Sequence, residues 1–293
     1  MKSQPSILPG VPRAARYLGF RLREDVAPEV SRQSVEALEI DETLVAGLGE
    51  PLVSHWGGAI EGLRTFPSLS GPGVQVPATQ QALWCWLPGN DQGLIVNRSI
   101  AIIDALSDGF QIDQIVDGFK YGDAVLGLDL TGYEDGTENP VGDEAIDAAF
   151  VADGDTGMAG SSFVAVQQWV HDLRHFSSLP QTDQDNIIGR RKLDNEELDD
   201  APPSAHTKRT AQESFDPEAF VLRRSMPFAG PDGEGLMFVA YGKSLDAYEA
   251  QLRRMVGLED GIPDGLFRFS RPVSGGYYWC PPVRDGRLDL RAV

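Results

Sequence analysis

Apolar and polar residues along this chain fall into short stretches of two kinds, alternating and helically spaced. In ARYLGFRL, Leu18, Phe20 and Leu22 share one face of a predicted strand, and the proline-rich residues 1 to 14 before it read as an arm. APEVSRQSVEALEIDETLVAGLGEP carries apolar residues at helical spacing and stops at glycine and proline, which predicts a helix. ALWCWLPG predicts a short aromatic strand closed by Pro88 and Gly89. In RSIAIIDALSDGF, Ile100, Ile103 and Leu106 recur at helical spacing behind Asn97, a suitable N-cap. The order then repeats without repeating its letters. SSFVAVQQWVHDL and GLMFVAYGKS predict strands, and LDAYEAQLRRMVG predicts a helix with Leu245, Tyr248, Leu252, Met255 and Val256 on one stripe and Gly257 at its end.

Strands beside amphipathic helices in both halves, with too few strand-to-helix connections for a run of parallel units, predict an α+β fold of antiparallel sheet and packed helix. Two ferredoxin-like halves satisfy this pattern. Residues 141 to 160, rich in Gly, Asp and Ala, read as a linker. Residues 180 to 218 form a long, highly charged stretch, of the kind that is either functional or disordered.

Composition narrows the class. A chain of 293 residues with 41% apolar and 24% charged residues can bury a sizeable core, and its length suits two domains. The net charge of −19 weighs against a nucleic-acid backbone or an anionic membrane as partner. Cys85 and Cys280 lie far apart without CxxC spacing, so neither a disulfide framework nor a zinc knuckle is signalled. With no apolar run long enough for a signal peptide or a membrane span, the expected setting is soluble and cytoplasmic.

Candidate chemistry gathers at a few places. GYEDGTENP, residues 132 to 140, packs Glu134, Asp135 and Glu138 among glycines and a proline. Gly132 and Gly136 permit backbone angles that other residues avoid, so this loop can hold a carboxylate at a fixed point; a structural acidic turn is the bland alternative. The spacing from Asp129 onward does not match a calcium loop. His171 and His175 in HDLRH stand as two zinc ligands on a helix would, but Asp172 occupies the place of the motif's Glu and a third ligand is not evident. His55, beside Trp56, reads as a packed or surface histidine. His206 follows Pro203 in a long loop, and Arg190, Arg191, Lys192, Lys208, Arg209, Arg223 and Arg224 cluster around it in sequence, which predicts an anionic group nearby. Arg223 and Arg224 in LRRSMPFAG read, taken alone, as an ordinary surface pair.

Taken in order, the GxxDG loop (Gly132, Asp135, Gly136) followed by TENP, then His206 in SAHTKRT, Arg223 in RRSMPF, GLMFVAY and SRPVSGGYYWCPP, resemble the dye-decolourising peroxidases, haem enzymes, and among them bacterial members with compact chains. The resemblance implies two ferredoxin-like halves, residues 1–145 carrying the GxxDG loop and 146–293 carrying the haem ligand, and one haem b per chain. It implies that His206 is the axial ligand of the haem iron, Asp135 the distal acid and Arg223 the distal arginine, or Arg224 if the register slips by one. Ser225 corresponds to a further polar distal residue and Phe238 to an apolar wall, with Glu134, Gly136, Thr137 and Arg223 also holding haem. The implied chemistry is cleavage of hydrogen peroxide through a ferryl intermediate, with Asp135 moving the proton and Arg223 stabilising the departing oxygen.

A carboxylate base ionises near ~3.9, against ~6.5 for histidine, so an acid-shifted optimum is expected. Small aromatic reductants, dyes and phenols would reach the haem through a surface tyrosine or tryptophan, with Tyr133 and Trp279 as candidates. Asp260 or Asp264 would orient the ligand histidine. A homo-oligomer, dimer or larger, is implied. The ending RDGRLDLRAV lacks a long Gly and Pro linker, so delivery into a protein shell is not expected. Two rival readings remain: a haem-binding protein for storage, sensing or iron release, which needs no pairing of Asp135 with Arg223, and a haem-free acidic interaction domain.

Overall fold

The computed structural model describes residues 2–123, 127–231 and 233–293. In the first half lie β1 (Ala14–Leu22), α1 (Pro28–Glu36), β2 (Val45–Gly49), β3 (Leu83–Gly89), α2 (Gln92–Leu106) and β4 (Phe110–Phe119). Helix α3 (Gly142–Ala149) follows. The second half holds β5 (Ser162–His171), α4 (His206–Arg209), β6 (Leu222–Arg223), β7 (Met226–Gly230), β8 (Gly233–Gly242), α5 (Asp246–Met255) and β9 (Gly276–Cys280).

The first sheet runs β2-β3-β1-β4 and the second β9-β5-β8 with β6 and β7 side by side along the far edge of β8, so each half has the ferredoxin-like order and every pairing is antiparallel. The halves also pair with each other, β2 with β9 through Leu48↔Trp279 and β4 with β7 through Gly118↔Phe228. The strands thereby close into a ring, which leaves neither sheet with its joining edges open. Alternation sorts the side chains. Tyr17, Trp84, Trp86, Val164, Val239 and Tyr241 fill the inside of the ring, while Leu18, Leu48, Leu83, Ala240 and Trp279 point outward under the helices.

Several local expectations change. VAGLG is strand β2 rather than the end of a helix, and α1 stops at Glu36. Helix α2 begins earlier than read: Asp91 caps it by accepting from Leu94 N–H at 3.0 Å, Asn97 lies inside, and Ile95, Ser99, Ile102 and Leu106 form the buried stripe. The supposed linker contains α3, whose Ala145, Ala148 and Ala149 are buried. The N-terminal arm is packed in. Gln4 exchanges two hydrogen bonds with the backbone of Ala46, and Ile7 is buried among the residues inside the ring.

Candidate active site

Three segments enclose one cavity: the loop from Asp129 to Glu138, the stretch from Ile188 to Glu213, and the outer face of β5 and β8 with α5 over it. Its atom-free space, open solvent at the mouth included, is about 1460 Å³. Leu236, Phe238, Met255, Leu266 and Phe269 supply apolar wall.

The GxxDG loop is shaped by its glycines, both in the left-handed region at φ 84° for Gly132 and φ 78° for Gly136. Gly132 N–H donates to Asp129 C=O at 2.8 Å and Asp135 N–H to Gly127 C=O at 3.2 Å, which fixes the turn. Asp135 Oδ1 then stands 3.4 Å from Arg223 Nη1, with both side chains partly buried. Glu134, Gly136 and Thr137 line the cavity as well, and Asn195 Nδ2 donates to both Glu134 Oε2 and Thr137 Oγ1, at 3.1 and 2.9 Å. Glu138 pairs with Arg190.

Strand alternation separates the two arginines. Arg223 shares the cavity face with Phe238, whereas Arg224 turns to the inside of the ring, where its guanidinium donates to the carbonyls of Ile7, Leu8 and Arg223. Burial pulls Arg224 down to about 10, against an opposing push from Tyr241. Ser225 shares the face of Arg223 but stands apart from the cavity lining, because it is buried and its Oγ accepts from Val239 N–H at 3.2 Å.

His206 opens the short helix α4 on the cavity wall. Its Nδ1 lies 2.8 Å from Asp264 Oδ2, and the other carboxylate oxygen accepts from Leu266 N–H at 2.8 Å, so a buried acid with both oxygens engaged orients the ring. With a carboxylate on Nδ1, that nitrogen is the donor and Nε2 keeps its lone pair for the cavity. Asp260 is taken by Arg209 instead, at 2.7 and 2.8 Å.

Other expectations are corrected. The basic cluster divides: Arg190 and Arg223 line the cavity with His206, whereas Arg191 binds Asp194 and Glu196, Lys192 donates to Thr131 C=O, Lys208 faces Glu197 and Arg209 binds Asp260. His171 has both ring nitrogens engaged, by Ser270 Oγ at 2.7 Å and Asp129 Oδ2 at 3.1 Å, and the described residues hold no group of three metal-ligating side chains. Tyr133 and Trp279 are 4% and 0% exposed, so neither is a surface relay. Sequence reading missed Gln167, Tyr248 and Gln251, which line the cavity from β5 and α5. The polar residues in those buried stripes were the available signal.

The donor set fits a haem. The lining brings together an imidazole oriented by Asp264, a carboxylate–guanidinium pair and apolar side chains, the residue types that hold a haem.

A family profile described as Dyp-type peroxidase, C-terminal, matches residues 127–285. The chain is 34% identical over 227 residues to the dye-decolorizing peroxidase of Mycobacterium tuberculosis (75% of this chain, 67% of the relative). It is 34% identical over 248 residues to that of Rhodococcus erythropolis (81% and 71%). Among solved structures, a variant of DypB from Rhodococcus jostii RHA1 in complex with heme superposes with a TM-score of 0.84 at 29% identity over 96% of both chains.

Proposed function

The chain belongs to the Dyp-type peroxidases, haem-dependent oxidoreductases, and from that premise we propose that it uses one haem b per chain and hydrogen peroxide to oxidise dyes, phenols and other small aromatic reductants. The observation that supports this reading is the presence, in the lining of one cavity, of an imidazole fixed by Asp264 and of the Asp135–Arg223 pair. Haem storage or sensing needs the imidazole but gives no use to the pair.

Haem supplies the iron that activates peroxide and the conjugated ring that holds oxidising equivalents. The protein's residues do the rest. His206 would hold the iron through Nε2, with its electron donation strengthened by the hydrogen bond to Asp264. Asp135 is the proton acceptor and donor, passing the peroxide's proton from one oxygen to the other. Arg223, a permanent cation beside it, stabilises the negative charge that builds on the departing oxygen. Apolar Leu236 and Phe238 keep bulk water away from that exchange. Assembly into a homo-oligomer in the cytoplasm belongs to the same reading.

Absorption spectroscopy tests the premise. The purified protein should carry a Soret band that His206→Ala loses, and should oxidise a phenolic dye continuously with peroxide. Asp135→Asn should slow the reaction with peroxide by about 10²-fold or more, and the parent should be fastest at acid pH. Haem binding without turnover, or flat activity from about pH 4 to 8, would favour the storage reading or remove Asp135 from its role.

A further inference from the structure

The Asp135 loop and the Arg223 strand meet at one side chain outside the catalytic pair. Asn139, four positions after Asp135, accepts from Arg223 N–H through Oδ1 at 2.7 Å and donates from Nδ2 to Arg223 C=O at 3.0 Å. A carboxamide carries one acceptor and donors in the arrangement of a peptide unit, so Asn139 completes the open edge of β6 as a neighbouring strand would. On the other side of that strand the ladder is ordinary, with Ala240 opposite Arg223 and Arg224 N–H donating to Val239 C=O at 2.8 Å.

Asn139 is itself tied to the catalytic turn. Its N–H donates to Gly136 C=O at 3.0 Å, one residue from Asp135, and Pro140 restricts its backbone to extended angles. The Arg223 main chain, Asn139, Gly136, Asp135 and the Arg223 guanidinium therefore form a closed loop of contacts. We propose that Asn139 is the positioning residue that sets the Asp135–Arg223 distance, by fastening the loop that carries the acid to the backbone of the strand that carries the arginine.

This inference rests on the peroxidase reading of that pair, and its test separates the two. In the haem-loaded enzyme, Asn139→Ala should react with hydrogen peroxide about 10- to 100-fold more slowly, the usual scale for a group displaced by about an ångström. Haem content and the KM for reductant should stay at the parent's values. The loop keeps other anchors, Gln212 Nε2 to Glu138 C=O at 2.9 Å and the Arg190–Glu138 pair, so folding should survive. In haem-free protein, the Arg223 amide should exchange with solvent at least about tenfold faster in the variant, while amides of β8 do not change.

Asn139→Asp is the sharper variant. A carboxylate can accept from Arg223 N–H but cannot donate to Arg223 C=O, whereas a protonated carboxyl can do both. The ratio of its peroxide rate to the parent's should therefore climb as pH falls through the ordinary carboxylate range near ~4. A parent-like rate in Asn139→Ala, or a ratio for Asn139→Asp that ignores pH, overturns the inference. If Asn139→Ala does not fold, the pH course of Asn139→Asp decides alone. If Asp135→Asn also reacts like the parent, what fails is the reading of the catalytic pair itself.

Discussion

Asp129 sits at the start of the GxxDG loop with both carboxylate oxygens engaged. It accepts from Thr131 N–H at 2.8 Å and from the Thr131 hydroxyl, and faces His171 Nε2 at 3.1 Å. Burial alone would push its carboxyl up, but the hydrogen bond and charge of His171, with the two bonds from Thr131, outweigh that and hold it below the ordinary carboxylate range. A carboxyl lowered in the folded state adds stability above its unfolded value, near ~3.9, and loses that contribution as pH falls through the lowered folded value. Asp129→Asn should therefore be less stable than the parent at neutral pH and should lose less on acidification. Unfolding midpoints measured from pH 6 down to about pH 3 should converge, and parallel curves would show that the His171 contact contributes nothing.

The GxxDG loop shows how a backbone conformation places a side chain. Gly132 holds φ 84°, and a Cβ there would come within 2.8 Å of Lys192 Cε, whose ammonium donates to Thr131 C=O at 2.6 Å. Gly132→Ala should cost about 1–3 kcal/mol, through left-handed strain and loss of the Lys192 anchor, and lower the unfolding midpoint by a few degrees. Peroxide reactivity should fall with it while haem is retained. Much of this element was legible, since two glycines around one acid already predicted a shaped turn, and strand alternation in LRRSMPF separates Arg223 from Arg224. Less legible were elements whose pattern is decided by distant partners. β4 carries Ile112, Ile115 and Phe119 partly exposed, and its register is set by pairing with β1 across a shift at Gly19 and Phe20. Of the basic residues between 190 and 224, Arg190 and Arg223 reach the cavity, but the acids that pair with Arg191 and Arg209 are brought close only by the folded loop.

At the scale of the molecule, two ferredoxin-like halves could be read from the order of strands and helices, but their closure into one ring could not. Pairing of β2 with β9 and of β4 with β7 joins residues more than a hundred positions apart, and no local pattern encodes it. Closure has a thermodynamic consequence. Tyr17, Trp84 and Trp86 from one half share a buried cluster with Val164, Val239 and Tyr241 from the other, and Trp279 of β9 packs against the first half's core at the seam. Separating the halves would expose both that cluster and the strand edges, so neither half should be stable without its partner. The haem-free protein should therefore unfold in one calorimetric transition, with calorimetric and van't Hoff enthalpies equal, although its length would suit two independent domains. Trp279→Ala, at a fully buried seam position, should cost about 3–5 kcal/mol and move that single transition as a unit. Two resolved transitions, with only one displaced by Trp279→Ala, would mean that each half is held by its own core and that the ring adds only proximity.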